Sequence, residues 1–272
     1  MRLPGTELYW DDSLTKPERL YCRIFGAPII GLRIRIRTLN RHLPPVATCI
    51  LDAGCGRGVI SRVLAKRYPH AKVDAIDQDA DQQAQNIKIT ESMGIQNCRF
   101  LVKDLAALDS QNAYDLIVSI DNLEHIENDR SVLRRYWSAL RANGLLYVHV
   151  PHYYRRWPIL KWTTNFDVPG HVRPGYHLPE LVERLRSSGF NVVHVGFSYG
   201  FLENLANNIS YCISSAQQES KLVYAAAFPF LNCLAWFGRW TSPKMGAGVW
   251  ALATKEKLDS RKSMQSFQDE LV

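Results

Sequence analysis

The sequence predicts an α/β fold built on a mostly parallel sheet with helices on both faces. Three observations predict it. From residue 49 onward, short apolar runs alternate with helical patterns. A turn with glycines at 54, 56 and 58 joins the first run to the first helical pattern. Seven apolar runs recur in the chain, enough for one wide sheet.

The elements follow in order. Residues 49–53, "CILDA", read as a buried strand. Residues 58–68 read as a helix with Val59, Ile60, Val63 and Leu64 on one side. A second strand covers 72–77 and a second helix 79–94; further strands cover 98–104 and 114–120. Residues 129–142 read as a helix with Leu133, Trp137 and Leu140 inward, closed by Asn143-Gly144. The fifth strand, 145–150, is stopped by Pro151. A proline-started helix covers 179–188, with Gly189 as its end signal. Strands at 191–197 and 248–255 complete the set. In such a sheet, ligands bind at the carboxyl ends of the strands, near the switch point beside the first. The loops after Ala53, Asp77, Asp104, Ile120 and Val150 are therefore expected to line one site.

The rest of the chain is assigned around that frame. Residues 1–45 are read as an N-terminal helical cap, and 46–198 with 247–256 as the ligand-binding domain. Residues 151–177 and 199–246 are read as aromatic-rich insertions on the substrate side, and 257–272 as a tail.

With 46% hydrophobic residues, the 272-residue chain can bury a substantial core. Its opening residues carry acids and a proline where a signal peptide needs an apolar core. The longest apolar stretch, 222–238, is interrupted by Pro229 and Asn232, whereas a membrane span needs about 20 apolar residues. A soluble, cytoplasmic protein is expected. The six cysteines form no C-x-x-C pair and read as reduced thiols. The net charge of +7 is dispersed, with one dense basic stretch at 31–43. There Leu32, Ile36, Leu39 and Leu43 form one helical face, and Arg33, Arg37 and Arg41 an adjacent stripe. Packing on its own domain is the first reading of that helix. Peripheral contact with an anionic membrane is the alternative.

The stretch "ILDAGCGRG", 50–58, asks what the loop holds. It is not a phosphate-binding P-loop, because no Gly-Lys-Ser/Thr follows. Nor is it the dinucleotide fingerprint G-x-G-x-x-G, because Val59 stands where Gly or Ala is needed. Asp52 before the loop would repel a phosphate but can hold a cationic or amine-bearing group. Asp77 ends the second strand 23 residues after Gly54, where a carboxylate can accept from both ribose hydroxyls. Asp104 ends the third strand, where it can accept from an adenine amine. An adenosine and a cationic tail without phosphate describe S-adenosylmethionine.

The run D-A-G-C-G-R-G resembles the D/E-x-G-x-G-x-G loop of class I S-adenosylmethionine-dependent methyltransferases. The resemblance continues through "VDAIDQD", "FLVKDL", "YDLIVSIDNLEHI" and "LRANGLLYVHVP" and covers roughly 45–198. It implies a Rossmann-like, seven-stranded, mostly parallel sheet. It implies that Asp52, Gly54, Cys55 and Gly56 seat the methionine half, with Cys55 a small filler rather than a nucleophile. Asp77 and Gln78 would hold the ribose, and Asp104 and Leu105 the adenine. The loop from Ser119 through Asp121 to Asn122 would close over the sulfonium.

Methyl transfer is an in-line displacement, so the protein positions the nucleophile and accepts its proton. The candidates are Asp121, Glu124, His125 and His152 for catalysis, and Tyr153, Tyr154, His171 and Tyr176 for substrate contact. D-x-x-E-H, 121–125, is similar to the E-x-x-E-H of quinone-precursor O-methyltransferases, which is associated with a divalent metal and with catalysis. Asp121 departs from that pattern, and no metal ligand is assigned. Nucleic acid is ranked low as a substrate, because "IDNL" stands where base-modifying members carry N/D-P-P-Y. Tyr153, Tyr154, Trp157, Trp162, Phe166, Tyr199 and Phe201 suggest an apolar or lipid-linked acceptor, with packing of a lid on its own core as the alternative. The resulting expectation is O-methylation of a small-molecule, quinone-like, lipid-linked or glycan-precursor acceptor. The alternatives are C-methylation, a dinucleotide-dependent oxidoreductase, and a catalytically inactive cofactor-binding partner subunit.

Overall fold

Seven strands form one sheet: β1 (Cys49–Ala53), β2 (Lys72–Asp77), β3 (Cys98–Val102), β4 (Tyr114–Ile120), β5 (Leu140–Pro151), β6 (Asn191–Ser198) and β7 (Gly248–Thr254). The computed structural model describes residues 3–156, 163–164, 170–214, 221–240 and 243–255. Trp157, Trp162, Phe166 and the tail at 257–272 lie outside the described residues. The strand order is β3-β2-β1-β4-β5-β7-β6. β1 pairs in parallel with β2 on one side and β4 on the other, so the switch point lies between β1 and β4. Only β7 runs against its neighbours, antiparallel to both β5 and β6.

Both sheet faces are covered, which explains the continuous apolar runs. Alternation sends Leu51, Ala53, Ile117, Leu146 and Val148 to one face. There they meet α5 (Asp129–Ala139) and α6 (Leu178–Ser187). Ile50, Val73, Ala75, Leu116 and Val118 point to the other face, with α2 (Ile30–His42) and α3 (Val59–Arg67). Burying each of these Val, Leu and Ile side chains contributes about 1.5–3 kcal/mol. The remaining helices are α1 (Lys16–Phe25), α4 (Ala80–Ser92), α7 (Phe201–Ser214) and α8 (Lys221–Phe237).

Three sequence expectations change. First, α5 stops at Ala139 and β5 begins at Leu140, three residues before the expected Asn143-Gly144 closure. The N–H groups of Asn112 and Ala113 take the carbonyls of Ser138 and Ala139 at 2.9 and 2.8 Å. Those last-turn acceptors are satisfied by the neighbouring chain, and Leu140 pairs with Tyr114 instead.

Second, the basic stripe of α2 is turned into the protein. Arg33 is buried and donates to the carbonyls of Ala27 and Phe25, with its guanidinium 4.9 Å from the Phe228 ring. Arg37 pairs with Glu203 at 2.9 Å, and Arg41 donates to the Arg239 carbonyl. Arg33 and Arg37 therefore tie α2 to α7 and α8, while Arg41 stays exposed.

Third, residues 199–246 contain a helix pair packed on α2. Ile30, Ile34, Ala206, Phe228, Leu231 and Ala235 form a shared core. α8 continues through Pro229, and the missing N–H leaves the helix unbroken.

Candidate functional site

The site begins with the turn that follows β1. Gly54, Gly56 and Gly58 have φ of 76°, 47° and 65°, a region that L side chains rarely adopt. A Cβ on Gly54 would lie 2.6 Å from Asn122 Cγ, and one on Gly58 2.6 Å from Phe100 Cε1. Space around Gly56 is open: nothing lies within 4 Å of where its Cβ would be. The loop is clamped from β2. The N–H groups of Gly54 and Cys55 donate to Ile76 O at 2.9 and 3.0 Å, and Gly56 N donates to Asp77 Oδ2 at 2.8 Å. The result is a rigid concave turn backed by the start of α3.

A buried arginine braces the turn from behind. Arg62 on α3 has no exposed side-chain surface and donates to Arg57 O at 2.6 Å. Its charge is met by Glu7 at 3.5 Å, from the 3₁₀ turn Thr6–Trp10. Burial pushes Arg62 below the usual guanidinium range, and Glu7 opposes this. The N-terminal segment is thereby joined to the loop through one ion pair.

Each cofactor-side residue expected from sequence has a definite place. Asp52 is buried, and its Oδ2 accepts from Ser61 Oγ at 2.5 Å. Burial pushes Asp52 up to about 6, against the Ser61 hydrogen bond, which favours ionisation. Cys55 is buried with its Sγ 3.4 Å from Gln83 Oε1. Burial, then the carboxylates of Asp52 and Asp77, raise its thiol well above the usual range. Asp77 receives Gly56 N and Asp79 N on its two oxygens, and Gln78 beside it is exposed. Asp104 caps the turn Leu105–Ala107 through Ala106 N at 2.8 Å, and Leu105 is a core residue. Ser119 is buried at the end of β4, with Asn122 Nδ2 3.4 Å from its Oγ.

The chemistry-bearing loop follows β4. Asp121 has φ of 48°, an uncommon conformation for a non-glycine residue. It is held there from three directions. Its N–H donates to His149 O at 2.9 Å, its Oδ1 lies 2.9 Å from His149 Nδ1, and Arg35 donates to its Oδ2. His149 is itself fixed by Ser198 Oγ, 2.8 Å from Nε2. Gly248 makes room for that pair, since a Cβ there would lie 2.3 Å from Ser198 Oγ. For Arg35, burial opposes the charge, but Asp121 and then Tyr199 outweigh it, and the guanidinium is held above its usual range. A small cavity of about 50 Å³ opens here, lined by Arg35, Asp121, His149, Tyr199, Asn207 and Tyr211.

The other catalytic and substrate candidates occupy a separate cluster. Residues 170–176 are laced onto the loop after β4. Val172 N donates to Glu124 O at 3.0 Å, and Arg173 donates to the carbonyls of Leu123 and Ile126 and to Asp129. Glu124 is fully buried, and His125 Nδ1 lies 2.9 Å from Gly170 O. Ligand atoms of Glu124, His125 and His171 come within 4.8 Å of one another. The acid-and-histidine set thus forms with His171, while Asp121 turns away to Arg35 and His149.

Tyr176 is not a cleft residue. It is fully buried, and its hydroxyl donates to Asp129 Oδ2 at 2.7 Å. His152 is also buried, its Nδ1 2.9 Å from Tyr154 O and its ring edge-on to Phe197 and His177. Tyr153 stacks on His177 and Tyr154 stays exposed. His152 is therefore embedded in an aromatic nest rather than placed on an open rim.

Sequence reasoning missed His149, Arg35 and Ser198. His149 was hidden in an apolar strand, "LLYVHV", and Arg35 in a helix whose other arginines drew attention. A polar residue interrupting a strand buried on both faces was the available signal for His149.

Residues 50–144 match the methyltransferase-domain family. A segment of 104 residues is 27% identical to an (S)-coclaurine N-methyltransferase of Thalictrum flavum, covering 38% of this chain and 29% of that relative. Over 98 residues the chain is 31% identical to a malonyl-[acyl-carrier protein] O-methyltransferase of Ilyobacter polytropus, covering 36% and 37%. The matches thus span about a third of these curated relatives' own length. The fold is also that of Haemonchus contortus phosphoethanolamine N-methyltransferase 2, solved with S-adenosyl-L-methionine. That likeness has a TM-score of 0.59 at 15% identity, over 94% of this chain and 61% of the other. The glycine turn after β1, the strand order and the match over 50–144 make this chain similar to the class I S-adenosylmethionine-dependent methyltransferases, with residues 50–144 matching their methyltransferase domain.

Proposed function

We propose that the chain binds S-adenosylmethionine on the Gly54–Gly58 turn and directs its methyl group to an oxygen of a small or lipid-linked acceptor. The residues fit that group. The turn leaves open space at Gly56, and Asp77 stands at the end of β2 beside it. Asp52 supplies a buried carboxylate behind the turn, suited to a cationic amino-acid group. When bound, S-adenosylmethionine supplies an electrophilic methyl on a sulfonium. Val59 and the absence of a lysine after the loop speak against a dinucleotide or a nucleotide triphosphate.

The observation that carries the oxygen reading is the Asp121–His149–Arg35 arrangement. With Nδ1 protonated, neutral His149 donates to Asp121 Oδ1 and accepts from Ser198 at Nε2. Asp121 is the member whose carboxylate borders the cavity, so it accepts a hydrogen bond from an acceptor hydroxyl and takes its proton. His149, almost wholly buried, orients that carboxylate through Nδ1. Arg35 and Tyr199 line the same cavity and supply polar anchors. Most of the rate then comes from holding the nucleophile in line.

The test is a panel assay. S-adenosylhomocysteine release is followed with phenolic, carboxylic and amine acceptors, and the product is analysed by mass spectrometry after a deuterated methyl donor is used. Turnover with hydroxyl or carboxyl acceptors supports the reading; turnover confined to amines replaces the oxygen by nitrogen.

A further inference from the structure

We infer that the outer face of α8 is a docking surface for an anionic lipid leaflet. The helix is apolar all round, so packing of its inner face leaves an equally apolar outer face. Phe228, Leu231 and Ala235 are buried against α2 and α7. Leu222, Ala226, Phe230, Cys233, Phe237 and Trp240 are exposed, at steps of four, four, three, four and three. Those steps hold one stripe along the helix and the 3₁₀ turn Gly238–Trp240 that extends it. Phe230 is 78% exposed and Leu222 85%. Among the described residues, Lys221–Trp240 is also the one helix long and apolar enough to cross a bilayer by length and composition. Its packed inner face fits it to lie on the bilayer rather than cross it.

Charge selects the occupant. Residues 221–240 carry Lys221 and Arg239 at opposite ends and no acid. Lys221 is largely exposed, 3.1 Å from Glu18. Arg239 sits over the rings of Trp236 and Trp240, at 3.7 and 4.3 Å from their centroids. Tryptophans beside a cation at the end of an apolar stripe match a membrane–water boundary. A second copy of the chain fits worse. Antiparallel pairing of two such helices sets Lys221 against Arg239, and parallel pairing sets each cation against its like. An apolar cavity of about 400 Å³ continues the stripe inward, lined by Leu14, Tyr21, Pro28, Ile29, Leu222 and Tyr224.

The experiment is independent of the methyl-transfer reading. The full chain is sedimented with vesicles of phosphatidylcholine containing one third phosphatidylglycerol, and with phosphatidylcholine alone, at low and high salt. Binding to the anionic vesicles that weakens with salt is expected, together with quenching of tryptophan fluorescence by brominated lipid. Phe230→Glu with Phe237→Glu should lower partitioning by about tenfold or more while leaving the melting temperature unchanged, since both side chains are already exposed. Lys221→Glu with Arg239→Glu should remove the preference for anionic lipid. Absence of vesicle binding by the wild-type chain overturns the proposal. So does a concentration-dependent dimer that the phenylalanine pair variant abolishes, which would give the face to a second copy.

Discussion

Asp121 and His149 meet across the carboxyl ends of β4 and β5, with Asp121 Oδ1 2.9 Å from His149 Nδ1. The two strands are hydrogen-bonded neighbours, and the contact sits beside the switch point of the sheet. Asp121→Asn removes the proposed proton acceptor while keeping the shape. It should lower kcat about 100-fold and change S-adenosylmethionine affinity little. His149→Gln should give a smaller loss and shift the pH profile of kcat, because His149 positions the carboxylate. Steady-state kinetics of both variants check this.

On the proposed reading, Asp52 should make cofactor affinity depend on pH. Its folded value, near 6, lies above the unfolded 3.8, so the folded ligand-free protein holds the extra proton. Stability is then lost as pH rises from about 4 through 6, by about 3 kcal/mol in all. A cationic ligand favours the ionised form. S-adenosylhomocysteine should bind about tenfold more tightly at pH 7 than at pH 5, and Asp52→Asn should flatten that dependence. Calorimetric titration at several pH values reads both.

Gly56 and Gly54 separate binding from folding. Gly56→Ala meets no protein atom, so only its φ of 47° costs stability, about 1 kcal/mol, but the methyl enters the cradle. It should abolish cofactor binding in a folded protein. Gly54→Ala collides with Asn122 and should lower the melting temperature as well. Thermal denaturation with and without ligand distinguishes the two.

Glu7→Gln leaves the buried Arg62 charge without its partner and should destabilise the fold by about 3 kcal/mol. The loop carbonyl of Arg57 rests on the same guanidinium, so cofactor affinity should fall too. Restoring neutrality with Glu7→Gln and Arg62→Met together should recover part of the stability, read by urea denaturation.

The sheet was legible because each strand is an apolar run bounded by turn residues, and the cofactor turn because its glycines need positive φ. Less legible was anything set by side-chain partners across distant segments. Arg35 and Asp121 are 86 residues apart, and no local pattern links them. Asp121, Glu124 and His125 stand together in sequence as D-x-x-E-H, with the i, i+3, i+4 spacing of one helix side. The positive φ of Asp121 breaks that spacing and sends its carboxylate to β5, while Glu124 and His125 meet His171. The partners of Arg37 and Arg41 in the basic stripe of α2, Glu203 on α7 and the Arg239 carbonyl after α8, lie 166 and 198 residues away, beyond any local pattern. The apolar 222–238 stretch was read through its interrupting Pro229 and Asn232, yet its outer face is visible only once the helix is packed.

The most direct measurement is calorimetric titration of the purified chain with S-adenosylhomocysteine and, separately, with NAD(H). The expected result is one site of micromolar affinity for S-adenosylhomocysteine, lost in Gly56→Ala, and no heat with NAD(H). Saturable NAD(H) binding with none of S-adenosylhomocysteine would contradict the assignment of the Gly54–Gly58 turn.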